Sequence, residues 1–218
     1  MTTEITQVWE LFDLVKPFIR EVRAFHHSDK SRVQRRIFRP AEFKGRNDFK
    51  QAMEEYASEL NEQGFNVYIS LNPVNREFKG KSAADADIKQ FEYLLVDIDR
   101  TGDTKNPATD EDIRMATSLG DAIYSFLAEL GWPKPTRLMS GNGHHLYYRL
   151  NDLPNNSEST NLIKRVLKCL AARFDGKDFS VDRVVYNASR ITKFPGTIMR
   201  KGIESDDRPY RRATRHEY

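Results

Sequence analysis

"LLVDIDR", residues 94–100, has the apolar run of a buried strand yet carries two carboxylates one residue apart. A strand repeats every two residues, so Leu94, Val96 and Ile98 share one face while Asp97 and Asp99 share the other. Two half-buried carboxylates side by side repel, and they hold a proton between them unless a cation neutralises the pair. The spacing calls for a metal on that face.

Outward from this strand, the periodicities place the other elements. Downstream lies a loop, "RTGDTKNPA", then a long helix from about Asp110 to Leu130, with Ile113, Ala116, Leu119, Ile123, Phe126 and Leu130 as its buried stripe. Two strands flank the turn "SGNG" (140–143), a helix runs from about Ser157 to Phe174, and "FSVDRVVYNASRITKFPGT" is extended. From residue 91 the order is strand, helix, strand, strand, helix, strand. That is the split βαβ arrangement, so the fold class is α+β: an RRM-like, ferredoxin-like sheet with helices on one face and the other face open. In "HHLYYRL" (144–150), Leu146, Tyr148 and Leu150 are then expected under the helices, and His145, Tyr147 and Arg149 on the open face with Asp97 and Asp99.

Upstream, a first helix is expected over residues 3–15, with Ile5, Trp9, Phe12 and Val15 on one side. Extended segments follow at "REVRAFHH" and "RVQRRIF". A second helix from about Asp48 to Gln63 buries Phe49, Ala52, Met53, Tyr56 and Leu60 and is capped by Gly64, and "FNVYISLNPV" is a strand. This gives one domain in two parts, an N-terminal α/β subdomain over about 1–90 and the ferredoxin-like sheet over 91–218.

The 218 residues are 39% hydrophobic and 31% charged, which suits a soluble chain with one sizeable core. No apolar run reaches the roughly 18 residues a membrane span needs, and "MTTEITQVWELF" lacks a secretory pattern, so the expected setting is cytoplasmic with no membrane partner. The single Cys169 excludes an internal disulfide and a multi-cysteine zinc site. Charge is segregated behind a net +3. Residues 16–50 carry eleven Lys/Arg against four Asp/Glu and residues 183–218 nine against four, whereas residues 51–130 carry seven against sixteen. Basic segments flanking an acidic centre suit a polyanion lying over a cation-binding floor. Solvated surface charge accounts for any one segment equally well.

Read together, "VDID" (96–99), "SGNGHHLYY" (140–148) and "SVDRVVYNASRITKFPGT" (180–197) resemble the three motifs of the archaeo-eukaryotic primase superfamily, especially the compact primase-polymerase domains of plasmids, phages and other mobile elements. The resemblance covers most of residues 65–200. It implies a template-directed nucleotidyltransferase with Asp97, Asp99 and Asp182 as catalytic metal ligands. It also implies a triphosphate site made by Ser140, Gly141, Asn142, Gly143, His145, Arg190 and Lys193, with Tyr147 placed to stack on a base or bar a ribose 2′-hydroxyl. On a regular strand Arg190 and Lys193 point to opposite sides, so the pair needs a bulge. The implied cofactors are two Mg²⁺ or Mn²⁺ ions without zinc, because hard cations take oxygen ligands and can stabilise both ends of an in-line displacement at phosphorus. The implied partners are nucleoside triphosphates and a single-stranded DNA template or primer, with a helicase or accessory domain in a longer parent. Replication of a mobile element, repair and work beside a CRISPR system are all compatible with it.

Other readings are weaker. "KGKS" (79–82) looks like the end of a Walker A loop, but Asn75 stands where its leading Gly belongs. A rolling-circle nicking enzyme needs His-x-His, and the adjacent His144 and His145 point oppositely on a strand. A primer-dependent gap-filling polymerase and a metal-dependent nuclease remain as enzyme alternatives. A non-catalytic RRM-like single-strand binder is disfavoured by acids where such a sheet carries aromatics. Asp85 and Asp87 are either helix-start acids or supports for the metal ligands.

Overall fold

The structure is a computed structural model that describes residues 18–216, so the helix expected over 3–15 lies outside the described residues. Strands β1 (Arg20–His26) and β2 (Val33–Phe38) form a hairpin, helix α1 (Arg46–Glu62) follows, and β3 (Phe65–Ser70) returns beside β1. Phe49, Met53, Ala57 and Leu60 recur every three to four residues and are buried, which packs α1 onto the apolar side of these strands. Gly64, at φ 89°, ends the helix in the left-handed conformation, as its place in the sequence demands.

The central run forms β4 (Gln90–Arg100), eleven residues long and buried over most of its length. After it come α2 (Asp110–Glu129), β5 (Thr136–Met139), β6 (His144–Pro154), α3 (Ser157–Phe174) and β7 (Phe179–Val181). Within the second sheet the order is β5-β6-β4-β7 and all pairings are antiparallel, which is the expected ferredoxin-like topology. Thr109 caps α2 by accepting from Asp112 N–H, and Asn156 caps α3 by accepting from Ser159 N–H.

The buried stripe of α2 is Ala116, Gly120, Ile123 and Leu127, rotated from the expected one; Leu130 falls after the helix and is 62% exposed. Gly120 is the reason. A Cβ there would lie 2.6 Å from His144 Cδ2, so the helix approaches the sheet along its glycine and the imidazole fills the gap.

Two further features depart from the sequence reading. The face of the second sheet away from its helices is roofed by the first sheet: Tyr147, on β6, is 1% exposed, and its hydroxyl lies 2.6 Å from Thr192 Oγ1. Thr192 belongs to β8 (Ile191–Lys193), which joins the first sheet in the order β2-β1-β3-β8. The chain thus crosses back over the boundary expected near residue 91. Beyond it, β9 (Ile198–Met199) and β10 (Arg211–Arg212) make a small hairpin, and β11 (Thr214–Arg215) extends the second sheet beside β5. Arg208, donating to Pro107 O at 2.8 Å, and Arg211, 2.6 Å from Asp110, pin this tail to the start of α2.

Candidate active site between the two sheets

Asp97 and Asp99 leave β4 on the side facing the first sheet. His145 is directly opposite Asp97 on one neighbouring strand, and Ser180 is opposite Asp99 on the other. Asp182 comes level with Asp97 one position past the Ile98–Val181 pair, its N–H donating to Asp97 O at 2.8 Å. His145 Nε2 is 3.2 Å from Asp97 Oδ1. Its other nitrogen is 2.8 Å from the Tyr147 hydroxyl, which continues to Thr192, so a chain of polar contacts through the sheet interface fixes the imidazole.

The two acids titrate apart. Asp99 is pushed up to about 6, first by the charge of Asp97 and then by burial. Burial also pushes Asp97 up, but the His145 imidazole and the Arg190 guanidinium outweigh it and hold its carboxyl below the usual range. His145 is correspondingly raised, the Asp97 charge and hydrogen bond overcoming the opposing effect of burial. One site therefore holds a charged carboxylate beside a carboxyl that retains its proton toward neutrality, as expected for an unneutralised pair.

The "SGNG" turn forms the rim. Gly143 passes so close to the end of β4 that a Cβ would sit 2.3 Å from Ile98 O and 2.9 Å from Asp99 Oδ1. Gly141, at φ 103°, would meet Met199 at 2.5 Å. Ser140 Oγ accepts from Gly143 N–H at 3.2 Å, and Asn142 Oδ1 accepts from Ala108 N–H at 2.8 Å. This second bond orients the amide of Asn142, a residue that lines the cleft and whose buried Nδ2 has no acceptor among the described residues.

The opposite wall is cationic. Lys193 is 2% exposed with one carbonyl, Ile198 O, at 3.3 Å from its Nζ and the Tyr68 ring at 5.6 Å. Burial, helped by Arg200, pulls its ammonium down to about 7. Arg190 donates to Asn187 Oδ1 and Val184 O and also faces the cleft. It precedes β8, so the alternation of a regular strand does not apply and both Arg190 and Lys193 reach one cavity without a bulge. Asp85 supports this segment: its Oδ1 accepts from Ser189 N–H and Oγ, both at 2.7 Å.

The resulting cleft, about 300 Å³, brings together Asp97, Asp99, Ser140, Asn142, His145, Arg190 and Lys193 from the expected set. It also brings in Tyr68, Thr192, Met199 and Lys201, which the sequence reading missed. Of these, only Lys201 had a signal, its place in the basic C-terminal segment. Two expectations change. Tyr147 does not line the cleft and is too buried to stack on a ligand; it orients His145 instead. Asp182 stands beside the cleft, its Oδ1 accepting from Val184 N–H at 2.8 Å, yet near enough for its charge to help raise Asp99.

Among the described residues no three His, Cys, Asp or Glu side chains form a closed metal cage. The two acids of β4 nonetheless fit a hard cation. Asp97 Oδ1 is buried with His145 Nε2 at 3.2 Å as its one cationic neighbour on the strand opposite, and the raised Asp99 carboxyl beside it would be a second oxygen ligand, one short of positive charge.

No family model matches the chain, and no curated protein matches it in sequence. Solved structures do. The AEP domain of the cyanophage S-2L primase-polymerase superposes with a TM-score of 0.56 at 16% identity, over 98% of this chain and 88% of that one. The primase RepB′ gives 0.57 at 13% identity over 98% of this chain and 56% of that one. The polymerase domain of Mycobacterium tuberculosis Ligase D, solved in complex with DNA, gives 0.53 at 14% identity over 95% and 78%. At these identities the likeness establishes architecture, and the chain has the fold of the archaeo-eukaryotic primase-polymerase domains.

Proposed function

We propose that the protein is a template-directed nucleotidyltransferase of the primase-polymerase type, joining nucleotides from triphosphates along a single-stranded DNA template. The observation that carries this reading is the pairing of two walls in one cleft: the carboxyl oxygens of Asp97 and Asp99 on β4, and the buried Lys193 on β8, which has no carboxylate partner among the described residues. A triphosphate with its cations is the ligand that answers both. Asp97 and Asp99, with Asp182 alongside, would hold the divalent ions, whose charge stabilises the attacking and leaving oxygens of the displacement.

The chain's own groups then have distinct tasks. Lys193, Arg190 and Lys201 compensate phosphate charge, and burial makes each such contact stronger than it would be in water. Asn142 Nδ2 and Ser140 supply neutral donors at the rim. Tyr147 and Thr192 hold His145 with one nitrogen toward Asp97, so the imidazole stays at the phosphate side of the acids. A nuclease would share the acids and could use one cation beside them, but three cations with the donors of the 140–143 turn suit a triphosphate better than an attacking water.

The test is incubation with a labelled triphosphate, Mn²⁺ and single-stranded template, with and without primer. Incorporation is expected in both arms. Product only with primer reduces the assignment to gap filling, and template degradation in place of incorporation replaces it with a nuclease. Asp97→Asn and Asp99→Asn are each expected to lower incorporation about a hundredfold or more while the thermal transition persists. Full activity in either variant overturns the ligand assignment.

A further inference from the structure

The first sheet carries, on the side that holds the cleft, a line of side chains running from its free edge to the site. The registers place Arg35 opposite Arg23, Arg23 opposite Tyr68, and Tyr68 opposite Lys193, one residue on each of the four strands β2, β1, β3 and β8. Directly opposite residues in antiparallel strands project to the same face. One pair further along, Phe25 stands beside Tyr68, ring centroids 6.0 Å apart and edge to face. The last two members of the line, Tyr68 and Lys193, already form a wall of the cleft.

This line is costly for folding alone. Like charges directly opposite in a sheet destabilise it, and Arg35 faces Arg23. Glu21 answers Arg23 at 2.7 Å, whereas Arg35 is exposed with no ion pair among the described residues. Phe25 is only half-buried, in a strand whose neighbours on the other face, Val22 and Ala24, are fully buried. Lys30, at the tip of the β1–β2 hairpin, adds a further positive charge that acts on Lys201 in the cleft. Beside Phe25, β3 is tied to the segment that carries Met199 and Lys201 into the cleft: Asn66, opposite Phe25, both donates to Arg200 O and accepts from Arg200 N–H.

We infer that this face of the first sheet, from Arg35 through Phe25 to Tyr68, is a platform on which a single strand of nucleic acid lies as it enters the cleft. The chemistry selects the partner. A row of cations can follow a phosphate backbone, and the half-buried rings of Phe25 and Tyr68 between them offer edges and faces on which only unpaired bases can stack. An acidic peptide would use the cations but leave Phe25 idle. The inference builds on the nucleotidyltransferase reading for its purpose, not for its evidence, and its assay involves no catalysis.

Anisotropy of a labelled single-stranded oligothymidine with the full chain, over a salt series and without triphosphate, tests it. Arg35→Gln changes an exposed side chain, and is expected to weaken binding several-fold and to reduce the slope of log affinity on log salt by about one. Phe25→Leu keeps apolar bulk and is expected to weaken binding about tenfold with the slope unchanged. Arg165→Gln with Lys168→Gln, on the outer face of α3, is expected to bind as the unaltered chain does. The platform is overturned if Arg35→Gln and Phe25→Leu both bind like the unaltered chain, if the α3 variant alone loses binding, or if duplex is preferred to single strand. Single-strand binding lost in these two variants, in a protein that incorporates no nucleotide, would uphold the platform and refute the proposed activity.

Discussion

Lys193 sits in a place where folding gains little from its charge: it is buried, has one carbonyl as its hydrogen-bond acceptor among the described residues, and is pulled down to about 7. A base whose folded pKa lies below its unfolded value penalises the fold fully at pH below the folded pKa. The penalty lifts as pH rises from about 7 toward the ordinary lysine value, because only the unfolded chain then holds the proton. Lys193→Met is therefore expected to raise the unfolding free energy on the order of 2 kcal/mol at pH 6, with the gain shrinking above pH 7 in urea titrations. Triphosphate affinity should fall at the same time, so one substitution separates stability from binding. Asp99 behaves in the opposite sense. Its carboxyl, raised to about 6, costs stability above that pH and nothing below the ordinary carboxylate value. After allowance for its solvent exposure, Asp99→Asn is expected to stabilise the metal-free protein by about 1 kcal/mol at pH 7, measured against the unaltered chain by thermal melting.

At the scale of elements, the site depends on loops that secondary elements hold from outside. The 140–143 turn crosses the end of β4 so tightly that a methyl group at residue 143 has no room beside Ile98 O. Gly143→Ala is expected to cost about 2 kcal/mol and to displace the rim, seen as a raised KM for triphosphate. The 187–190 segment has no regular structure to fix it, and Asp85 does so through Ser189. Under the proposed activity, Asp85→Ala is expected to raise the triphosphate KM several-fold, since Arg190 loses its support, with the Mn²⁺ concentration for half-maximal incorporation unchanged. The sequence allowed Asp85 a supporting role, but toward the metal ligands; in the structure it holds the segment that carries Arg190.

At the scale of the molecule, the two sheets are joined by a buried ion pair: Arg20 of β1 meets Glu92 of β4 at 2.6 Å, with side chains 1% and 2% exposed. Arg20 also donates to Leu71 O at 3.0 Å, and Arg149 reaches Glu92 from β6 at 3.5 Å. Such a pair is weak evidence for net stability, but removing one partner strands a buried charge. Glu92→Gln is expected to destabilise by about 3 kcal/mol, with the sheets unfolding in one transition by circular dichroism and tryptophan fluorescence.

The linear chain already determined the strand order from residue 91 onward, the side of β6 on which His145 lies, and the meeting of Asp97 with Asp99. All three follow from short periods, two residues for a strand and about 3.6 for a helix, which local sterics enforce. The stripe expected for α2 holds at Ala116 and Ile123 but is centred closer to Gly120 than the sequence suggested, because a glycine was not counted as a contact residue, although close approach needs one. What covers a face has no period. That the first sheet roofs the acids, that β8 crosses back to bring Lys193 over them, and that Tyr68 and Lys201 complete the cleft were decided only by tertiary structure. Pairing between strands more than a hundred residues apart is set by the summed burial of both sheets, a property of the whole chain that no window of neighbouring residues contains.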